Sequence, residues 1–151
     1  MPDRENILDT LEDLMQIARD GQEGYREGAE HVKDPALRRL LNEVSLERAK
    51  FAGDLENEAV RWGRADIDRS GTTLGAILRG WANLKAALGA GDEAILATIE
   101  SGDEHARRRY DEAISSSDIP DDIAGILRNQ AQAIVGTLDR IRALRRGREA
   151  A

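Results

Sequence analysis

The chain has 151 residues and no cysteine; 40% of its residues are hydrophobic, 34% are charged, and the formal net charge is -7. That length suits one domain with one core, and the missing thiols exclude disulfide staples, thiolate catalysis and cysteine-ligated metal. The negative balance argues against a nucleic-acid partner, and no apolar run approaches the roughly 20 residues needed to cross a bilayer.

Met1-Pro2-Asp3-Arg4-Glu5 lacks the basic-then-apolar form of a secretory leader, so a cytoplasmic location is expected. Ile7, Leu11, Leu14, Ala18, Tyr25 and Val32 then alternate steps of four and three, with Gly21 and Gly28 in the gaps, and predict a helix over 4–32. Asp34 is a natural cap and Pro35 suits a first turn, so a second helix is predicted over 35–62 on Leu37, Leu41, Val44, Phe51, Leu55, Ala59 and Trp62. Residues 63–71 are polar and aperiodic and read as a loop. A shorter amphipathic stretch from Leu74 to Leu88 predicts a helix over 73–88, which Gly89-Ala90-Gly91 breaks. Asp92 offers a cap for a helix over 92–115, and the Ser115 to Pro120 segment separates it from a last helix over 120–146. Arg140, Arg142, Arg145, Arg146 and Arg148 crowd that helix's end, where cations favour the negative pole of the dipole and also suit an acidic partner.

Short turns force helices one and two, and again three and four, to lie antiparallel. Between the pairs a long connection returns along the assembly, so residues 1–151 are expected to form one all-α domain: a ferritin-like four-helix bundle with one crossover containing a short helix. At 100° per residue, four polar side chains fall inside the apolar arcs, namely Gln22, Arg48, Asp103 and Gln130, one from each long helix. Helical rise puts them at similar height, with Tyr25 and Tyr110 on either side. Buried charges need partners, so an Arg48–Asp103 ion pair is expected there; the alternative is that Arg48 reaches out to solvent and Asp103 edges the core.

Several stretches carry a family resemblance: Asp20-Gly21-Gln22-Glu23-Gly24-Tyr25, Lys33-Asp34-Pro35, the Arg79 to Leu88 segment, Glu100-Ser101-Gly102-Asp103-Glu104, Tyr110-Asp111-Glu112-Ala113, and the Asp139 to Leu144 segment. Together they resemble a bacterial family of ferritin-like four-helix bundles classed as a domain of unknown function. The resemblance implies the fold and brings no reaction with it.

Ferritin-like metal enzymes draw on a Glu from each of two helices and a Glu-x-x-His from each of the others. Here His31 and His105 both have glycine three residues earlier, so no intact di-metal centre and no cofactor are expected. If the faces rotate near the glycines, Glu23, Glu47, Glu100, Asp103 and Glu104 are the alternative ligands, for iron or manganese. The leading functional reading is a non-enzymatic structural, stress-associated or interaction protein, expected to form a homodimer or bind another protein, with Trp62 and Trp81 covering the core. The second is a metal-binding protein or oxidoreductase of the same architecture.

Overall fold

A computed structural model describes residues 3–64 and 77–150, and among these every regular element is helical. Four long helices carry the structure: α1 (Arg4–His31), α2 (Pro35–Arg61), α4 (Asp92–Ser115) and α5 (Asp121–Ala150). Between the two pairs lie a π turn (Ile77–Trp81) and a short helix α3 (Leu84–Leu88).

The ends are set by local chemistry. Asp3 caps α1 by accepting from the Glu5 amide at 3.0 Å, and Asp34 caps α2 by accepting from the Ala36 amide at 2.9 Å, with Pro35 in the first turn. Asp92, expected as the cap of α4, is instead its first residue: Gly91 holds the cap position without a side-chain bond, at a φ of 106° open only to glycine at low cost, and the Asp92 carboxylate turns to the α1–α2 turn.

Contacts at the ends fix the direction of each helix. Arg4 Nε donates to the Trp62 carbonyl at 2.7 Å, so α1 starts where α2 finishes. The Lys33 and Asp34 amides donate to the Asp92 carboxylate at 2.8 and 3.2 Å, which brings the α1–α2 turn against the start of α4. At the other end Asn6 reaches Asp118 in the α4–α5 turn at 3.4 Å. Thus α1 and α5 run one way and α2 and α4 the other, and the chain leaves α2 at one end of the molecule and enters α4 at the other.

The crossover departs from the helix expected over 73–88. Residues 73–76, with Leu74, lie outside the described residues, as does most of the expected loop. The described remainder is broken at Arg79 (φ -97°, ψ 22°) and Gly80 (φ 97°) before α3 resumes. Gly80 passes so close to α4 that a Cβ there would lie 2.9 Å from His105 Cβ and 3.1 Å from the Ser101 carbonyl. Close approach and a left-handed backbone both demand glycine, and together they end the helix.

Two clusters of buried apolar side chains fill the interior. One runs from Ile7 to Ala18 on α1 with Phe51, Leu55, Ala106, Ile123 and Leu127; the other holds Val32, Leu37, Leu41, Ile95, Ile99 and Ile141. Along α2 the first ends at Phe51 and the second at Val44, and Arg48 stands between them. No described helix is long and apolar enough to cross a membrane.

Candidate functional site

The polar residues at this junction form two hydrogen-bonded groups. Arg48 of α2 meets Asp103 of α4 through two parallel bonds, Nη1 to Oδ1 at 2.6 Å and Nη2 to Oδ2 at 2.9 Å. Their side chains are 2% and 1% exposed. Tyr25 of α1 donates its hydroxyl to Asp103 Oδ2 at 2.5 Å, and the guanidinium carbon lies 5.1 Å from the Tyr25 ring centre. One carboxylate therefore accepts three bonds from two helices, in the bidentate arrangement that suits arginine and not lysine.

The second group joins α4 to α5. Tyr110 donates to Gln130 Oε1 at 2.6 Å, and Gln130 Nε2 donates to the Phe51 carbonyl at 3.4 Å. Both tyrosines are held above their ordinary range, first by burial; Asp103 pushes Tyr25 further up, while Arg48 pulls each of them down. Burial alone would weaken the hold of Arg48 on its proton, but the charge and hydrogen bonds of Asp103 more than offset it, leaving the guanidinium more strongly basic than usual.

Gln22 stands apart from these groups. It is half-buried, and its carbonyl, not its side chain, accepts from the buried Ser45 hydroxyl at 2.8 Å. The inward position belongs to its neighbour: a Cβ on Gly21 would sit 3.1 Å from Arg48 Nη1, so the absence of a side chain makes room for the guanidinium. One residue is 100° of helix, enough to carry Gln22 off the edge of the arc.

The other candidate ligands are scattered, some on the surface and some partly buried. Glu23 is exposed and pairs with Arg26, whose hydrogen bond holds its pKa below the usual value. Glu104 bonds Arg107 and, at 2.8 Å, Arg142, and is lowered in the same way, first by Arg107. Glu100 faces Arg145 at 3.3 Å, and Glu47 is half-buried with one carboxylate oxygen lacking a hydrogen-bond partner. Among the described residues, no three His, Cys, Asp or Glu side chains come together as a group able to hold a metal ion.

Trp81, expected to cover the core, does so over the first group, and the seat it takes there is not given by periodicity. The Trp81 indole lies between Gly24 of α1 and Gly102 of α4, and a Cβ at either glycine would fall within its van der Waals envelope. Only 5% of Trp81 is exposed, and its ring meets that of Tyr25 edge-on at 6.2 Å. Two residues earlier, Arg79 pairs with the buried Asp20, so the π turn is fixed to α1 by charge as well as by packing. The sequence signal for this seal is the pair of inward glycines, Gly24 and Gly102, each a side chain's width from where a large ring must fit.

Residues 6–116 match the family described as Domain of unknown function (DUF2383). The chain belongs to this family. The DUF2383 match holds Tyr25, Arg48, Asp103, Tyr110 and Trp81 and stops just beyond α4, so the ionic group and its seal lie within it, whereas Gln130 on α5 lies outside. A search of curated proteins found no match.

Proposed function

We propose that this DUF2383 protein is a ferritin-like four-helix bundle of a bacterial family that works as a non-enzymatic structural or interaction factor, with a stress-associated role as its setting. The observation that carries the reading is the use of Asp103: both oxygens are engaged, by Arg48 on one side and by Arg48 and Tyr25 on the other. A guanidinium at the centre brings the positive charge that cations supply in metal-bearing bundles, and it repels a dication beside it. The donor set does not fit a di-metal group. Glu23, Glu100 and Glu104 are held by surface arginines, and among the described residues no His, Cys, Asp or Glu group of three gathers around Asp103. The homodimer and the cytoplasmic setting belong to the same reading, as does the absence of a nucleic-acid partner, which the acidic balance supports.

The test is to offer iron(II) and manganese(II) to the purified protein, then measure bound metal and ferroxidase activity and collect anomalous scattering. The expected result is no stoichiometric metal and no ferroxidation. Iron or manganese at mid-height, with Arg48 turned away from Asp103, overturns the reading in favour of a metal-binding protein or oxidoreductase.

A further inference from the structure

The slot that holds Trp81 has walls of backbone. Gly24 of α1 lies nearest the Cε3–Cζ3 side of the indole and Gly102 of α4 nearest the Cε2–Cζ2 side, and neither has a Cβ to narrow the gap. The spacing of α1 and α4 around the slot is set by contacts in which Trp81 takes no part. Tyr25, next to Gly24, bonds Asp103, next to Gly102, at 2.5 Å. One turn beyond Gly24, a Cβ on Gly28 would lie 3.2 Å from Ile95 and 3.5 Å from Ile99, so the two helices already touch there. In the other direction Arg109 pairs with Asp13 at 2.6 Å. Walls fixed on both sides of a gap relax only in part when its filling is removed.

The segment that delivers the ring is held far more lightly than the walls. Between residues 79 and 88 only Trp81 and Ala87 are buried. The backbone leaves helical geometry at Arg79 and Gly80, and α3, five residues long with no side-chain cap bond from Asn83, is too short to be stable by itself. Its ionic tether runs from Arg79, 19% exposed, to Asp20, and water replaces each partner as the turn lifts. A segment with so few buried contacts opens at a smaller cost in free energy than the whole domain.

We infer that Trp81 is the chain's own occupant of an aromatic site: the π turn detaches while the four long helices stay folded, and the slot it uncovers takes a planar, uncharged aromatic of indole size. The ring of Tyr25, which Trp81 meets edge-on at 6.2 Å, offers a guest the same contact. The charges behind it, Arg48 and Asp103, neutralise each other, so the slot presents no net charge for a charged guest to answer. In the closed protein Trp81 competes with the guest, and the apparent affinity falls by the fraction of molecules that are open. The inference goes beyond the proposed function, since it concerns an inner site and holds whatever the outer surfaces bind.

Free indole is the probe. Trp81→Ala should keep its helicity by circular dichroism and bind indole saturably, with a rise in melting temperature, because an apolar cavity with fixed walls accepts an aromatic guest. It should bind at least about tenfold more tightly than the wild-type protein, where the slot is filled. Detachment itself is followed in wild-type protein labelled with 5-fluorotryptophan, whose Trp81 fluorine resonance is the one missing from Trp81→Ala. In rising urea that resonance should reach its solvent-exposed position before helicity is lost. A Trp81→Ala chain that fails to fold, one that folds and leaves indole unbound, equal binding to the wild-type protein, or exposure of Trp81 coincident with helix loss would each overturn the inference.

Discussion

Two sets of guanidinium–carboxylate contacts tie α4 to its neighbours, and they differ in what surrounds them. At the centre, Arg48 and Asp103 are almost wholly removed from water, and Trp81 closes the way in. Along the α4–α5 seam, Arg142 pairs with Glu104 at 2.8 Å and Arg145 with Glu93 at 2.9 Å, and Arg148 reaches Asp34 at 3.1 Å. Arg145 is 25% exposed and Glu93 46%. The chemistry of contact is the same in both places. In the buried pair, however, each charge depends on the other for its solvation, whereas on the seam water replaces a lost partner. Three of the five C-terminal arginines thus clamp α5 to the rest of the chain.

The largest effect tests the buried side of this contrast. Asp103→Leu leaves a guanidinium without a partner and a tyrosine hydroxyl without an acceptor, and should cost about 3–5 kcal/mol in chemical denaturation. Combining it with Arg48→Met removes the stranded charge and should restore much of the loss. Additive effects of the two changes would mean that the pair is not coupled, and the contrast would collapse. The seal provides the next largest effect. Gly24→Ala forces Trp81 against Gly102, where it has no room to move, and should cost about 1–3 kcal/mol. Gly136→Ala, in open space on α5, should instead stabilise by roughly 0.5–1 kcal/mol through helix propensity. Similar melting shifts in the two variants would show that Trp81 yields freely.

Periodicity carries far in a chain built of long amphipathic helices. Asp34-Pro35 and Gly91-Asp92 mark their boundaries in the sequence as they do in the structure, and Arg48, Asp103 and Gln130 lie on the inward seams that a 100° step assigns them. What periodicity lacks is the neighbour. Whether residue 21 or 22 faces inward depends on how α1 is rotated against Arg48, which no local pattern records. The break at Gly80 is set by the surface of α4 at Ser101 and His105, and the seating of Trp81 by glycines far apart in sequence. The terminal arginines read first as dipole partners, with an acidic partner as the alternative, and neither reading shows that α4 offers Glu93, Glu100 and Glu104 beside them.

An intermediate degree of burial is available on the same helix. His105 sits beneath the π turn; burial pushes its pKa below the usual 6.5, as do Arg108 and Arg109 on α4 and Arg79 on the turn, while Asp13 of α1 opposes them. The unfolded chain therefore takes up this proton more readily than the folded one. Stability associated with neutral His105 is complete above pH 6.5 and is lost as the pH falls through the lowered folded value. Melting temperatures measured downward from pH 7 should decline, and His105→Gln should flatten the decline. An unchanged slope in that variant would assign the acid sensitivity to other groups.

The smallest effect tests the exposed side. Arg145→Ala removes contacts to Glu93 and Glu100 at 2.9 and 3.3 Å. Because both acids keep access to water, it should cost only about 0.2–1 kcal/mol. The cost should also fade with salt, since at 1 M the screening length is roughly 3 Å, comparable to the contacts themselves. The Arg48–Asp103 coupling should persist in the same salt, because the pair is almost wholly buried, with Trp81 packed beside it. Measuring both couplings in low and high salt thus separates the two regions by a property other than magnitude. A buried pair that weakened with salt as much as the seam would mean that solvent enters the centre, and that the crossover does not seal it.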